Sequence, residues 1–145
     1  MPQISRRPLP KYIQDRMDNS LYEAVSFLKK REEVIQFIGD LLTKTERVMI
    51  PKRFAIAILL SKGWTFDSIK DSLKVSQSTI TSVAKTLEFS KGYKKAIEQL
   101  EKSESFREFW QEIERLHYRV SSQTQAFADE ELVKKKLGRD KKTLV

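Results

Sequence analysis

The sequence predicts an all-α protein, and three observations support this fold class. Apolar residues recur at steps of three and four along most of the chain, which is the period of an amphipathic helix. The alternation of apolar and polar residues that marks a half-buried strand is nearly absent. The 145 residues include only four glycines and four prolines, so few positions interrupt helices. We therefore expect a helical domain with its own core.

The composition limits the classes of function. The formal net charge is +8, which favours a polyanionic partner over an acidic small substrate. The chain has no cysteine and one histidine, which leaves no disulfide, no thiolate chemistry and few ways to bind zinc. No acid–base pair, glycine-rich phosphate loop or nucleophile constellation stands out, so we expect neither an enzyme nor a cofactor.

The chain shows no signal for a membrane or for secretion. No apolar run approaches the roughly 20 residues that a membrane-spanning helix needs. The N-terminal segment MPQISRRPLPKY lacks the apolar core of a secretion signal. We therefore expect a cytoplasmic protein.

The N-terminal part is expected to hold a flexible basic arm, residues 1–10, followed by short helices. A helix is predicted from Tyr12 toward Met17, and Asn19 or Ser20 would cap the next helix. The residues expected to be buried on that next helix are Leu21, Ala24, Val25 and Leu28. The apolar pattern stops at residues 29–31 and resumes at Val34, Ile35, Phe37, Ile38, Leu41 and Leu42.

The next element is a long central helix that reaches Ser61. Thr43 and Glu46 have the spacing of a capping box, TKTE, in which each side chain bonds the other's backbone N–H. Pro51 should kink this helix or restart it, and Gly63 should end it.

The segment FAIAILL within this helix, residues 54–60, is apolar on every side. A helix that is apolar all round must be buried on all faces. In a domain this small, we expect a second copy of the chain to cover part of it.

Residues 65–87, TFDSIKDSLKVSQSTITSVAKTL, predict a helix-turn-helix. Thr65 and Ser76 are suited to cap its two helices, and Lys74 and Val75 would form the tight turn between them. The residues expected to face inward are Phe66, Ile69 and Leu73 on the first helix, and Ile80, Val83, Ala84 and Leu87 on the second. An ordinary helical hairpin with a surface rich in Ser and Thr is the alternative.

The outward face of the second helix carries almost no negative charge, which suits double-stranded DNA. In the major groove, Gln77 can bond adenine bidentately, Ser78 can donate or accept, and the methyl group of Thr79 can meet a thymine methyl. The other predicted DNA-binding residues, at phosphates or flanking bases, are Thr65, Lys70, Lys74, Ser76, Thr81, Ser82 and Lys85. For Gln77 and the lysines, the alternative is an ordinary solvated side chain.

The C-terminal residues 102–137 are predicted to form a helical extension, followed by a basic tail, residues 138–145. An apolar stripe on its first helix contains Phe106, Phe109, Trp110, Ile113, Leu116 and Val120, with His117 at its border. A second helix is expected from about Gln125 to Leu137, where Gly138 would stop it. The extension can pack on the same subunit, extend a dimer or bind a partner, and the sequence leaves these open. Trp64 is expected to pack the central helix against the helix-turn-helix, with effector sensing as the alternative.

These residues carry a resemblance to a known family. The run LLTKTERVMIPKRFAIAILLSKGWTFDSIKDSLKVSQSTITSVAKTL resembles the Trp-repressor superfamily, and with its flanks it is most similar to the YerC/YecD-like branch. The likeness covers about residues 20–100, within a domain placed at residues 11–101. It implies an all-α, intertwined homodimer that represses transcription, with N-terminal helices wrapped around the partner.

The resemblance also bears on the effector. In the tryptophan-responsive members, a Thr, an Arg and a second Arg followed by Gly hold the corepressor. Here Thr43 and Arg53 match the first two, but Ser82 and Val83 stand where the second Arg and the Gly would be. Without the second Arg, the carboxylate of tryptophan would lose a charge-assisted partner, and Val83 would fill the space that its indole needs. We therefore do not expect tryptophan as corepressor, and another effector is unknown.

The sequence therefore predicts a dimeric, sequence-specific DNA-binding regulator. One alternative is a DNA-handling accessory module, such as a terminase-like or transposase-like helix-turn-helix, which predicts higher oligomers or binding without a compact palindrome. The other is a non-DNA helical scaffold, which predicts a weak salt dependence and no specific binding.

Overall fold

The computed structural model describes residues 7–140, without the side chains of residues 133, 134 and 136–140. This part of the chain contains α-helices and no strands, which confirms the all-α fold class. The helices are α1 (Lys11–Phe27), α2 (Arg31–Leu41), α3 (Lys44–Ser61), α4 (Phe66–Leu73), α5 (Gln77–Phe89), α6 (Lys91–Leu100) and α7 (Glu104–Asp140). None of the described helices is long and apolar enough to cross a membrane.

The chain divides into two compact units, with the boundary between Val48 and Met49 inside α3. The first unit contains α1, α2 and the start of α3. The second contains the rest of α3 and all later helices. Residues 1–6 of the predicted arm lie outside the described part, and residues 7–10 are not helical.

The predicted helix break at Asn19 or Ser20 is wrong, because α1 is one helix through both residues. The Ser20 hydroxyl donates to the carbonyl oxygen of Arg16 at 2.9 Å, a bond that accommodates a serine inside a helix. The predicted interruption at residues 29–31 is confirmed in place, since α1 ends at Phe27 and α2 begins at Arg31.

Neither α1 nor α2 contains a buried residue. The prediction that Leu21 and Val25 are buried is wrong for the single chain, where their exposed fractions are 39% and 46%. Ala24 and Leu28 are half-buried. The exposed apolar residues of these helices also include Val34, Ile35, Ile38 and Leu41. The periodicity identified the apolar face, but the described residues of the first unit, from residue 7 onward, do not bury it.

The capping box at the start of α3 is confirmed. The carboxylate of Glu46 accepts hydrogen bonds from the backbone N–H and from the hydroxyl of Thr43, both at 2.8 Å. In return the Thr43 hydroxyl oxygen accepts the backbone N–H of Glu46 at 3.3 Å. The helix does not restart at Pro51, which lies inside it. It ends as predicted before Gly63, whose φ of 81° is a conformation that glycine adopts at no steric cost.

The core of the second unit is built around the middle of α3. Ile56, Ala57, Ile58 and Leu59 are all buried, which confirms the prediction for the middle of the segment at residues 54–60. The expectation that a second copy covers part of it is not needed for these four residues, because helices of the same chain bury them. The other buried apolar residues of this core are Ile69, Ile80, Val83, Ile97 and Ile113, from α4, α5, α6 and α7. The core therefore joins both helices of the predicted helix-turn-helix to α3.

The C-terminal extension is one continuous helix, so the predicted break before Gln125 and the stop at Gly138 are wrong. The hydroxyls of Ser122 and Thr124 donate to the carbonyl oxygens of Tyr118 and Val120, which keeps these polar residues within the helix. A single glycine near a helix end costs only about 1 kcal/mol, too little to require a stop. Residues 141–145 of the predicted basic tail lie outside the described residues.

The first half of α7 packs on the other helices of the second unit, and its Ile113 is 8% exposed in the core of that unit. Phe106, Phe109 and Trp110 pack partly buried against the same core. By contrast, residues 121–132 are all exposed. The first half of α7 therefore packs on its own subunit, which is one of the three possibilities that the sequence left open for the extension.

Candidate nucleic-acid interface

The first helix of the candidate interface, α4, begins at the predicted cap. The Thr65 hydroxyl oxygen accepts the backbone N–H of Ser68 at 3.2 Å, and its hydroxyl donates to the Ser68 hydroxyl at 2.9 Å. Ile69 is fully buried, whereas Lys70 on the same helix is exposed. The amphipathic pattern thus orients α4 with its lysine outward.

The turn after α4 depends on the backbone of Lys74. This residue has φ 52° and ψ 56°, a left-handed conformation, and is the one non-glycine residue with positive φ among those described. Val75 is half-buried against the core, as predicted. A left-handed residue between two helices reverses the chain within a few positions, so α5 starts three residues after Lys74.

The N-terminus of α5, the candidate recognition helix, holds a small cluster of hydroxyl groups. The Ser76 oxygen accepts the backbone N–H of Thr79 at 3.3 Å, which confirms the predicted cap. The same oxygen lies 3.0 Å from the Ser78 hydroxyl and 2.8 Å from the Thr79 hydroxyl. The hydroxyls of Ser78 and Thr79 are therefore already hydrogen-bonded to that of Ser76. Only their remaining lone pairs and protons are left for further hydrogen bonds.

The inward side of α5 matches the prediction. Ile80 is fully buried and Val83 is 2% exposed, while Ala84 and Leu87 are half-buried. Val83 is part of the buried apolar core.

The predicted DNA-binding residues share one stretch of chain, and most of their side chains are accessible. The exposed ones are Thr65, Lys70, Lys74, Ser76, Gln77, Ser78, Ser82 and Lys85, and the half-buried ones are Thr79 and Thr81. The Thr81 hydroxyl donates to the carbonyl oxygen of Gln77 at 2.9 Å, so it is satisfied within the helix. The side chain of Gln77 is exposed, so its amide is accessible at the helix surface.

The charge of this surface favours an anion. In α5, Glu88 is the one acidic residue and lies near the C-terminal end. Lys70 and Lys74 precede the hydroxyl-rich start of α5 in the chain and Lys85 follows it, while Asp67 and Asp71 are the acidic residues of α4. The N-terminus of a helix also carries a partial positive charge and unpaired N–H groups. The arrangement can place neutral hydrogen-bonding groups against bases and cations against phosphates.

Trp64 packs against the core, as predicted, but it also makes contacts that the sequence did not indicate. Its ring lies edge-on to Trp110 with centroids 6.1 Å apart, and tilted against His117 at 4.7 Å. Both partners belong to α7. Because Trp64 is far from Trp110 and His117 along the chain, local sequence patterns do not predict that the three rings pack together.

Two of the residues at the corepressor positions are engaged within the chain, and Arg53 is exposed. The Thr43 hydroxyl donates to Glu46, and Val83 is part of the core. No group of three or more His, Asp or Glu side chains that could hold a metal ion occurs among the described residues.

A capped helix, a left-handed turn and a second helix with an exposed polar start define a helix-turn-helix protein of the all-α class. The family model described as "Trp repressor protein" matches residues 17–101, more than half of the chain. The chain therefore belongs to the Trp repressor family, a family of helix-turn-helix DNA-binding regulators, which is not an enzyme family. This confirms the superfamily inferred from the sequence.

A curated relative supports the branch within the superfamily. The chain is 27% identical over 88 residues to "Uncharacterized protein YerC" of Bacillus subtilis (strain 168). The alignment covers 60% of this chain and 85% of YerC. No solved structure matches the chain significantly. The family match ends at residue 101, so the whole of α7 lies beyond it.

Proposed function

We propose that the protein is a sequence-specific transcriptional regulator that binds operator DNA as a homodimer and acts as a repressor. The observation that carries this proposal is the exposed, hydroxyl-rich and acid-free start of α5, held by α4 and the left-handed turn. In helix-turn-helix proteins this part of the second helix reaches the base edges in the major groove.

Gln77 has the leading role in base recognition under this proposal. Its amide is exposed and can bond both N6 and N7 of adenine. Ser78 and Thr79 share their hydroxyls with Ser76, so they contribute a spare lone pair or proton, and Thr79 its methyl group. One residue with a bidentate amide contact then distinguishes A from G at one position of each half-site.

The cations and hydroxyls around α5 position the protein on the phosphate backbone. Thr65, Lys70 and Lys74 serve this role on the α4 side, and Ser82 and Lys85 one turn further along α5. Replacing both Lys70 and Lys85 by Gln is expected to lower the salt slope of DNA binding by about 2, with the sequence preference unchanged. Titrations at several salt concentrations measure this slope, and an unchanged slope would contradict the assignment.

A second copy of the chain is the proposed partner of the exposed apolar residues on α1 and α2. Continuous apolar faces on adjacent helices are typical of subunit interfaces. In a symmetric dimer the two α5 helices enter successive major grooves, with half-sites about one helical turn apart.

Tryptophan is not the proposed corepressor. The packing of Val83 in the core and the absence of an arginine at position 82 both argue against an indole and its carboxylate at this site. Losing a charge-assisted pair costs about 2 kcal/mol, or roughly thirtyfold in affinity. Calorimetry should detect no micromolar binding of tryptophan, and a measurable affinity would overturn this point.

The function is tested by using the purified protein to select sequences from a random duplex-DNA pool. The selection is run at about physiological salt, where nonspecific attraction to phosphates is reduced. We expect enrichment of an inverted repeat with half-sites near one turn apart. A Gln77→Ala variant should enrich a motif that has lost its preference at one position per half-site. Failure of the folded wild-type protein to enrich any sequence would contradict the proposed function.

A further inference from the structure

Ser72 is the one buried polar side chain among the described residues, with 4% of its surface exposed. It lies in the last turn of α4, two residues before the left-handed Lys74 that reverses the chain into α5. A buried hydroxyl is unfavourable unless a partner satisfies it. The identity of that partner therefore bears on how the helix-turn-helix is held.

The partner is His117 of α7. Its Nδ1 lies 3.3 Å from the Ser72 hydroxyl oxygen, across 45 positions of sequence. The same imidazole packs against the indole of Trp64, directly before the α4 cap. One side chain thus contacts the chain just ahead of α4 and the last turn of that helix.

We propose that His117 is a positioning residue for the DNA-binding head, through which the C-terminal helix holds α4 and the following turn in the geometry that DNA requires. The proposal rests on the proposed function and deepens it. It assigns a role to a helix that lies entirely beyond the family match at residues 17–101.

The last turn of α4 leads into a backbone conformation that has to be maintained by its neighbours. Lys74 has a conformation that is unfavourable for a side chain, so the neighbouring contacts must maintain it. Ile69 anchors the middle of α4, while the bond to His117 anchors its end. Without that bond, the turn samples other geometries, and DNA must select the competent one at a cost in affinity.

A purely structural role makes a different prediction. If His117 only filled space between helices, its loss would lower the stability of the fold and leave the DNA affinity of the folded molecules unchanged. The two roles are therefore separated by measuring affinity and stability in the same variants.

The variants are His117→Leu, which keeps volume and removes the hydrogen bond, His117→Asn, which restores a polar atom near the position of Nδ1, Ser72→Ala, and the pair Ser72→Ala with His117→Leu. Tyr118→Phe, at an exposed neighbour on α7, is the matched control. Asp67 and Asp71 line the cleft beside His117, so all variants are assayed in one buffer at a single pH.

We expect His117→Leu to bind the selected operator about tenfold more weakly, as loss of a part-buried hydrogen bond predicts. His117→Asn should recover most of the affinity, and the double variant should bind about as weakly as His117→Leu alone, because both changes remove the same bond. Tyr118→Phe should bind like the wild type. Equal affinities for wild type and folded His117→Leu, or simple additivity in the double variant, would overturn the proposal.

Amide hydrogen exchange provides a second readout that does not require DNA. His117→Leu should speed exchange about tenfold in the last turn of α4 and in residues 74–76, relative to Tyr118→Phe. If the wild type selects no DNA, the proposed function fails while this measurement still tests the positioning role. Unchanged exchange in α4 and the turn would refute that role in either case.

Discussion

Lys74 combines two properties at one position, a left-handed backbone and an exposed ammonium. Lys74→Val should destabilise the fold by about 1–2 kcal/mol, because a β-branched residue tolerates positive φ poorly. Lys74→Asn should be near neutral in stability, because asparagine adopts this conformation readily. Both should lower the salt slope of DNA binding by about 1. Denaturant unfolding and salt titrations measure the two effects, and equal stabilities of the two variants would contradict the backbone argument.

Glu46 should make the start of α3 sensitive to acid. Hydrogen bonds first from the backbone N–H and then from the hydroxyl of Thr43 hold the pKa of this carboxyl below its ordinary value of 4.5. A lowered pKa gives a contribution to stability that is fully present above pH 4.5 and is lost as the pH falls through the folded-state value. The stability of the wild type relative to Glu46→Gln should therefore stay constant from pH 7 to about 5 and decline below 4.5. Unfolding curves across this range test the sign, which would be wrong if the wild type gained relative stability in acid.

At the scale of the elements, α7 has two halves with different roles. Ile113 in the first half belongs to the core, and Ile113→Ala should cost about 2–4 kcal/mol of unfolding free energy. Phe127 in the second half is 70% exposed, so Phe127→Ala should change stability by less than about 0.5 kcal/mol. Denaturant unfolding of both variants compares a large apolar truncation at a buried and at an exposed site of one helix. Equal losses would show that the second half is also covered in solution.

Also at this scale, α4 and α5 show which local patterns are reliable. Thr65 and Ser76 were identified as caps from residue type and spacing, and their bonds to Ser68 and Thr79 confirm them. The continuity of α1 and α7 is not predicted by the sequence, because a serine or asparagine that caps a helix and one that lies inside a helix are the same residue type. Ser20 and Ser122 satisfy their hydroxyls on carbonyls of their own helix, which only the three-dimensional structure distinguishes.

At the scale of the whole molecule, the apolar faces of α1 and α2 predict the oligomeric state. The wild type should sediment as a dimer at micromolar concentration. Val25→Glu together with Ile38→Glu should give a folded monomer with much weaker operator binding, because two charges would be buried at the interface. Gln36→Glu adds a charge at an exposed polar position and should remain dimeric. A wild-type monomer, or a dimer that survives both glutamates, would contradict this assignment.

The sequence by itself determined the helical class, the caps that begin α4 and α5, and the inward and outward faces of α5, although α5 runs to Phe89, beyond the predicted end at residue 87. These features depend on interactions between residues within about four positions of one another, such as Thr43 with Glu46 and Ser76 with Thr79. The sequence spacing between two such residues therefore predicts the interaction directly. The buried middle of α3 was also predictable, since an apolar segment without a polar face has no stable place at the surface.

Only the tertiary structure decided how α7 relates to the helix-turn-helix and which hydroxyls are already engaged. The bond between Ser72 and His117 joins residues 45 positions apart, and a lone serine and a lone histidine carry no signal of each other in one sequence. The same holds for Trp64 and Trp110. Such contacts depend on where the chain returns in space, and that is set by the collective packing of the core rather than by any one segment.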